Sequence, residues 1–66
     1  MNLSINGEQR TIDAGTTLGM LLQQLKLEPG QVVLELNREI LNPGEHAGKQ
    51  LQDGDHLEII QFVGGG

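Results

Sequence analysis

Four leucines set the terms for this chain. Leu18, Leu21, Leu22 and Leu25 stand at offsets of 0, 3, 4 and 7, the spacing that collects side chains on one face of a helix at about 3.6 residues per turn. The threonines Thr16 and Thr17 before them are candidate N-caps, whose hydroxyls can accept from free N–H groups of the first turn. Pro29 and Gly30 close the stretch. Gly19 sits inside it and weakens a helix by about 1 kcal/mol relative to Ala. A helix of two to three turns does not persist alone in water. It needs a partner layer, and the rest of the sequence must supply one.

The flanks read as strands. LSIN alternates apolar and polar, and Asn6-Gly7 follows at once. Asn-Gly between extended runs is the strongest short-range hairpin signal, because both residues tolerate the positive φ of a type I′ turn. Glu8 to Ile12 is therefore expected to return antiparallel to Met1 to Ile5. After the helix, VVLEL places Val32, Leu34 and Leu36 on one face. Asn37 to Glu39 turn the chain, and Ile40 and Leu41 form a brief pairing. Asn42 to Gln52 reads as loop with one short helical turn. Asp53-Gly54-Asp55 is a tight turn that launches LEIIQFV, Leu57 to Val63, the longest β-favouring run. These elements predict an α+β fold: a mixed sheet of four to five strands with one helix across one face. The first and last strands are expected side by side in the middle. The expected core is Leu3, Ile5, Leu18, Leu21, Leu22, Leu25, Val32, Leu34, Leu36, Leu57 and Ile59. By alternation Ile60 and Phe62 then point away from the helix.

Size and composition narrow the function. Sixty-six residues make one domain, with little room to wall a deep catalytic pocket. Cysteine is absent, so no disulfide and no thiolate metal site can form. Nine acidic residues against four basic ones, a net charge of −5 and a single aromatic residue argue against nucleic acid, which requires a basic face and stacking platforms. No stretch has the length of a membrane span, and the start lacks a basic-then-apolar leader, which gives a cytoplasmic expectation. His46 and His56 have no partner ligands at metal spacing and read as surface residues. The Asp53-Gly54-Asp55 turn lacks the further oxygen ligands of a calcium loop. No standard catalytic signature is found.

What remains is FVGGG, residues 62–66. Three glycines contribute almost nothing to stability. Extended, Gly64 to Gly66 could carry a carboxylate roughly 10 Å beyond the domain, into a channel too narrow for any side chain. A domain over residues 1–63 with a flexible tail at 64–66 is the expectation. The functional reading makes the Gly66 carboxylate the reactive group, while a loose end without a role is the alternative. An α-carboxylate is ionised at neutral pH and resists nucleophiles, so it would first need activation, for example by adenylation.

The sequence from Asn6-Gly7 through GTTLGMLLQQL, VVLELNREIL, LQDGDHLEII and the final QFVGGG resembles the ThiS family of sulfur carriers of thiamin biosynthesis, in the ubiquitin-like β-grasp group. The resemblance covers essentially the whole chain. It departs only in the third glycine, Gly64. It implies a carrier and not an enzyme. An E1-like adenylating enzyme using ATP would activate Gly66, sulfur from a persulfide donor such as a cysteine desulfurase relay would convert it to a thiocarboxylate, and thiazole synthase would receive that sulfur. Gly64 and Gly65 would enter the partners' active sites, Ile60, Phe62 and Val63 would offer docking surface, and no cofactor would be bound by the chain itself. Two other readings share the fold: the small subunit of molybdopterin synthase, and a protein modifier conjugated through Gly66.

Overall fold

The computed structural model describes residues 1–61. Every element foreseen there is present. Asn2–Ile5 (β1) and Glu8–Thr11 (β2) form an antiparallel hairpin, joined by Asn6 at φ 51° and Gly7 at φ 83°, the left-handed pair that a tight hairpin demands. Leu18–Gln24 (α1) follows. Thr17 is its N-cap, and the hydroxyl oxygen accepts the Met20 N–H at 3.2 Å. A 3₁₀ turn at Pro29–Gln31 leads into Val32–Leu36 (β3), which pairs antiparallel with Glu39–Leu41 (β4). The last described strand is His56–Gln61 (β5).

The sheet order is β2-β1-β5-β3-β4. All neighbours are antiparallel except β1 and β5, which run parallel through Ser4 opposite His56 and Ile5 opposite Leu57. The first and last strands thus lie side by side as alternation and order predict. Side chains extend this short pairing. Asn6 accepts the Ile59 N–H at Oδ1 (2.7 Å) and donates from Nδ2 to the Ile59 carbonyl (3.3 Å). At the other end Asp53 Oδ1 accepts the Asn2 N–H at 2.6 Å, while the Gly54 N–H reaches the Asn2 carbonyl at 2.8 Å. Asn37 works similarly on β5, accepting the His56 N–H and donating to Asp55.

The apolar faces of α1 and the sheet meet in one core. Leu3, Ile5, Leu18, Leu21, Leu22, Val32, Leu34, Leu36 and Leu57 are buried as expected, with Leu25 and Ile59 packed at its margin. Leu41 and Leu51 join them. Their addition reflects the route of residues 42–52, which return along the helix side of the sheet: the Leu18 N–H donates to the Lys49 carbonyl at 2.8 Å, and Thr17 bridges to Gln50. A 3₁₀ turn at Pro43–Glu45 is the short helical turn foreseen in this stretch.

That route explains Gly19. A Cβ built there would lie 2.8 Å from the Ala47 Cα and 3.0 Å from its carbonyl oxygen, distances that backbone atoms cannot relieve by rotating. The glycine that weakens the helix is what lets the loop lie against it. Gly19→Ala should therefore lower stability by about 1 to 2 kcal/mol in urea denaturation, because overpacking costs about 1 to 3 kcal/mol and outweighs a propensity gain of about 1. Asn6→Gly keeps the turn conformation but removes both bonds to Ile59. It should cost about 1 to 2 kcal/mol in the same measurement.

Candidate functional site

β5 is hydrogen-bonded on both edges, to β1 and to β3. Its inward side chains, Leu57 and Ile59, face the helix with Leu34 and Leu36 opposite them on β3. The alternate set faces outward: His56, Glu58 and Ile60. Ile60 is 57% exposed, so the 42–52 segment leaves it uncovered, as the packing of that segment on the helix side requires. Ile60 thus stands where sequence alternation put it. The other residues expected to act, Phe62, Val63, Gly64, Gly65 and Gly66, lie outside the described residues, as do the boundary at residue 63 and the glycine tail.

The register brings further residues to this face that sequence reasoning passed over. Val33 lies opposite Ile60, Glu35 opposite Glu58, and Ile40 opposite Glu35 on its other side. Ile40 is the most exposed large apolar residue among the described residues, at 70%. The signal was available. With Leu36 and Glu39 paired across a two-residue turn, Ile40 must oppose Glu35. That turn is Asn37-Arg38, both at positive φ (51° and 72°), a conformation that Arg adopts rarely and that composition did not advertise.

The histidines divide. His56 is exposed, as expected. His46 is not: it is 2% exposed, within the segment that Gly19 admits, and neither ring nitrogen has a hydrogen-bond partner among the described residues. The expectation of a surface residue fails because nothing in the local sequence announces that residues 43–49 fold back on α1. His46, Ala47, Gly19, Met20, Leu27 and Pro29 help line an open groove of about 660 Å³ along the helix. Among the described residues no group of three or more His, Asp or Glu side chains is placed to hold a metal ion, and no helix is long and apolar enough to cross a membrane.

A five-stranded mixed sheet with parallel central strands, grasping one helix on one face and open on the other, defines a ubiquitin-like β-grasp protein. The comparisons agree and go further. The chain belongs to the ThiS family, whose model matches residues 3–66. It is similar to the crystal structure of the thiamine biosynthesis protein (ThiS) from Geobacter metallireducens, with a TM-score of 0.80 and 37% identity over 100% of both chains. It is 37% identical over 65 residues to the sulfur carrier protein ThiS of Bacillus subtilis, covering 97% of this chain and 98% of that one. It is also 42% identical over all 66 residues to a thiazole synthase of Paramagnetospirillum magneticum. The chain spans about a fifth (20%) of the length of the thiazole synthases it matches.

The outward face contributes no core. Ile60→Ser should leave the urea midpoint nearly unchanged, within about 0.5 kcal/mol, as exposed substitutions do. Leu34→Ala, on the same pair of strands but facing the helix, should cost about 2 to 5 kcal/mol.

Proposed function

We propose that the chain is a sulfur carrier of thiamine biosynthesis whose working group is the carboxylate of Gly66. An E1-like adenylating enzyme transfers AMP from ATP to that carboxylate and pyrophosphate departs. A persulfide sulfur supplied by a cysteine desulfurase relay then attacks the carbonyl carbon and displaces AMP. Reductive release by a thiol leaves a thiocarboxylate on Gly66, and thiazole synthase takes the sulfur. Gly64 and Gly65 are the strip that passes through the partners' channels. A cytoplasmic setting belongs to the same reading.

The observation that carries this reading is that the family match runs from residue 3 to Gly66 and includes relatives of the same length named as sulfur carriers. The chemistry of the body supports it. With no cysteine in the chain, covalently held sulfur has the terminal carboxylate as its natural seat. Ile60, with Phe62 and Val63 following it in sequence, gives a partner apolar surface beside the tail, and exposed apolar patches commonly mark such contacts. The Geobacter metallireducens relative is named a thiamine biosynthesis protein and the Bacillus subtilis one a sulfur carrier protein, which favours this reading over a molybdopterin synthase subunit or a protein modifier.

Intact mass after incubation with the adenylating enzyme, ATP and a sulfur donor should rise by the difference between one sulfur and one oxygen. A conjugate mass, or no change, would count against it. Removing Gly66 should abolish thiazole formation in a reconstituted assay while leaving the melting temperature within a degree or so of the parent, since a lone terminal glycine adds no packing.

A further inference from the structure

Both ends of the seam between β1 and β5 are fastened by the same kind of dipeptide. At one end the Asn6 amide binds the two main-chain groups of Ile59, accepting its N–H at 2.7 Å and donating to its carbonyl at 3.3 Å. At the other, the Asp53 carboxylate accepts the Asn2 N–H at 2.6 Å. A glycine follows each, Gly7 at φ 83° and Gly54 at φ 87°. Before a glycine, an Asn or Asp side chain is open to attack by the next main-chain nitrogen, because glycine has no side chain to shield that nitrogen and its backbone turns freely. The groups that close the seam are therefore also ones that the chain itself can attack.

We propose that Asn6 is a deamidation site whose rate is gated by the fold and whose reaction permanently releases the seam. The Gly7 nitrogen attacks Cγ of Asn6, a C–N bond forms, the bond to Nδ2 breaks, and ammonia leaves carrying the proton from Gly7. A cyclic imide remains. Water then opens it at either carbonyl, giving aspartate in a normal main chain or isoaspartate in a main chain lengthened by one methylene. Nothing is oxidised or reduced. Of the four asparagines, Asn42 precedes Pro43, which has no N–H to attack with, while the side chains of Leu3 and Arg38 crowd the nitrogens that follow Asn2 and Asn37. Asn37 makes a comparable pair of bonds, accepting the His56 N–H at 2.9 Å and donating to Asp55 Oδ1 at 3.0 Å, so fastening β5 does not by itself make a site. At Asp53 the attacking group is engaged, since the Gly54 N–H donates to the Asn2 carbonyl at 2.8 Å, and a carboxylate is a poor electrophile. The Gly7 N–H has no such acceptor among the described residues, and Asn6 and Gly7 are both exposed to the water that the second step consumes.

The gate is the pair of bonds to Ile59. Cγ cannot turn onto the Gly7 nitrogen until both are released, so the reaction draws on the fraction of molecules in which the seam is locally open. Neither product can close it again. The aspartate lacks the Nδ2 donor and sets a carboxylate oxygen against the Ile59 carbonyl, and the isoaspartate adds length to a turn that two left-handed residues must close.

The test incubates the full chain at neutral pH, folded and in urea, beside Asn6→Gly and Asp53→Ala. The mass gain of an amide becoming a carboxyl group is mapped on peptides, and isoaspartate is assayed separately. The parent should gain mass first at Asn6, at least about tenfold more slowly folded than in urea, because local opening must precede the reaction. Asp53→Ala, which loosens the far end of the seam, should speed the folded reaction severalfold without changing the rate in urea, and Asn6→Gly should gain nothing in that peptide. Asn6→Asp, which makes one product directly, should have a lower urea midpoint than the parent. Equal rates folded and in urea, a first gain at Asn2 or Asn37, no gain at Asn6 in the folded chain, an Asp53→Ala rate no faster than the parent's, or an unchanged midpoint for Asn6→Asp would each overturn the proposal.

Discussion

The fold depends on a short parallel contact between strands fifty residues apart. β1 and β5 share only two residue pairs, Ser4 with His56 and Ile5 with Leu57, yet this contact alone joins the N-terminal hairpin to the β3–β5 half of the sheet. Closing so long a loop has an entropic cost that must be repaid before any core forms around it. Two ladder pairs do not suffice, and the chain supplements them with side chains. Asn6 continues the ladder past the end of β1 by binding both backbone groups of Ile59, and Asp53 holds the first N–H of β1. Turn residues therefore have a second role here, since the groups that bend the chain also fasten its two halves. Leu3, Ile5, Leu34 and Leu57 can share one core only because this seam holds.

A consequence of one helix and one sheet is that apolar residues are concentrated on a single side. α1 and the 42–52 segment together cover the inner face, with Gly19 allowing the backbone of Ala47 to approach the helix closely. That close packing also sequesters His46, which a longer side chain at position 19 would displace along with its segment. Among the described residues no segment covers Ile40 and Ile60 on the outer face. What stands there answers to something other than folding: Ile40 and Ile60 would be poor choices for a surface whose only duty is solubility, and opposed glutamates are a poor choice for a strand pair whose only duty is stability.

Much of this was legible before any coordinates. Period-2 and period-3.6 patterns located the strands and the helix, Asn6-Gly7 specified its hairpin, and alternation from Leu57 placed Ile60 on the outer face. Those are local signals, each carried by adjacent residues. The misses are all non-local. Burial of His46 and Leu51 depends on the path of an irregular segment, and the requirement for Gly19 depends on Ala47, twenty-eight positions away. The grouping of Val33, Glu35, Ile40 and Glu58 needed the register of three strands at once. Sequence reading recognised β4 but took its turn as a connection, where the positive φ of Asn37 and Arg38 makes it the element that fixes which residues face each other.

The position of β5 bears on the carrier role proposed above. A strand at a sheet edge frays readily, and a tail attached to it would be presented with an uncertain origin. β5 is instead flanked on both sides, and its pairing with β3 persists through Gln61. β5 is thus held by the longest ladder among the described residues, its five residue pairs with β3, and by the shorter seam to β1 that Asn6 and Asp53 reinforce. Under the proposed function, the chain that continues past Gln61 would leave the body from a strand flanked on both edges. In the carrier reading, the open outer face and the doubly flanked strand answer one need: the first leaves space for a partner, and the second keeps the strand it meets in place.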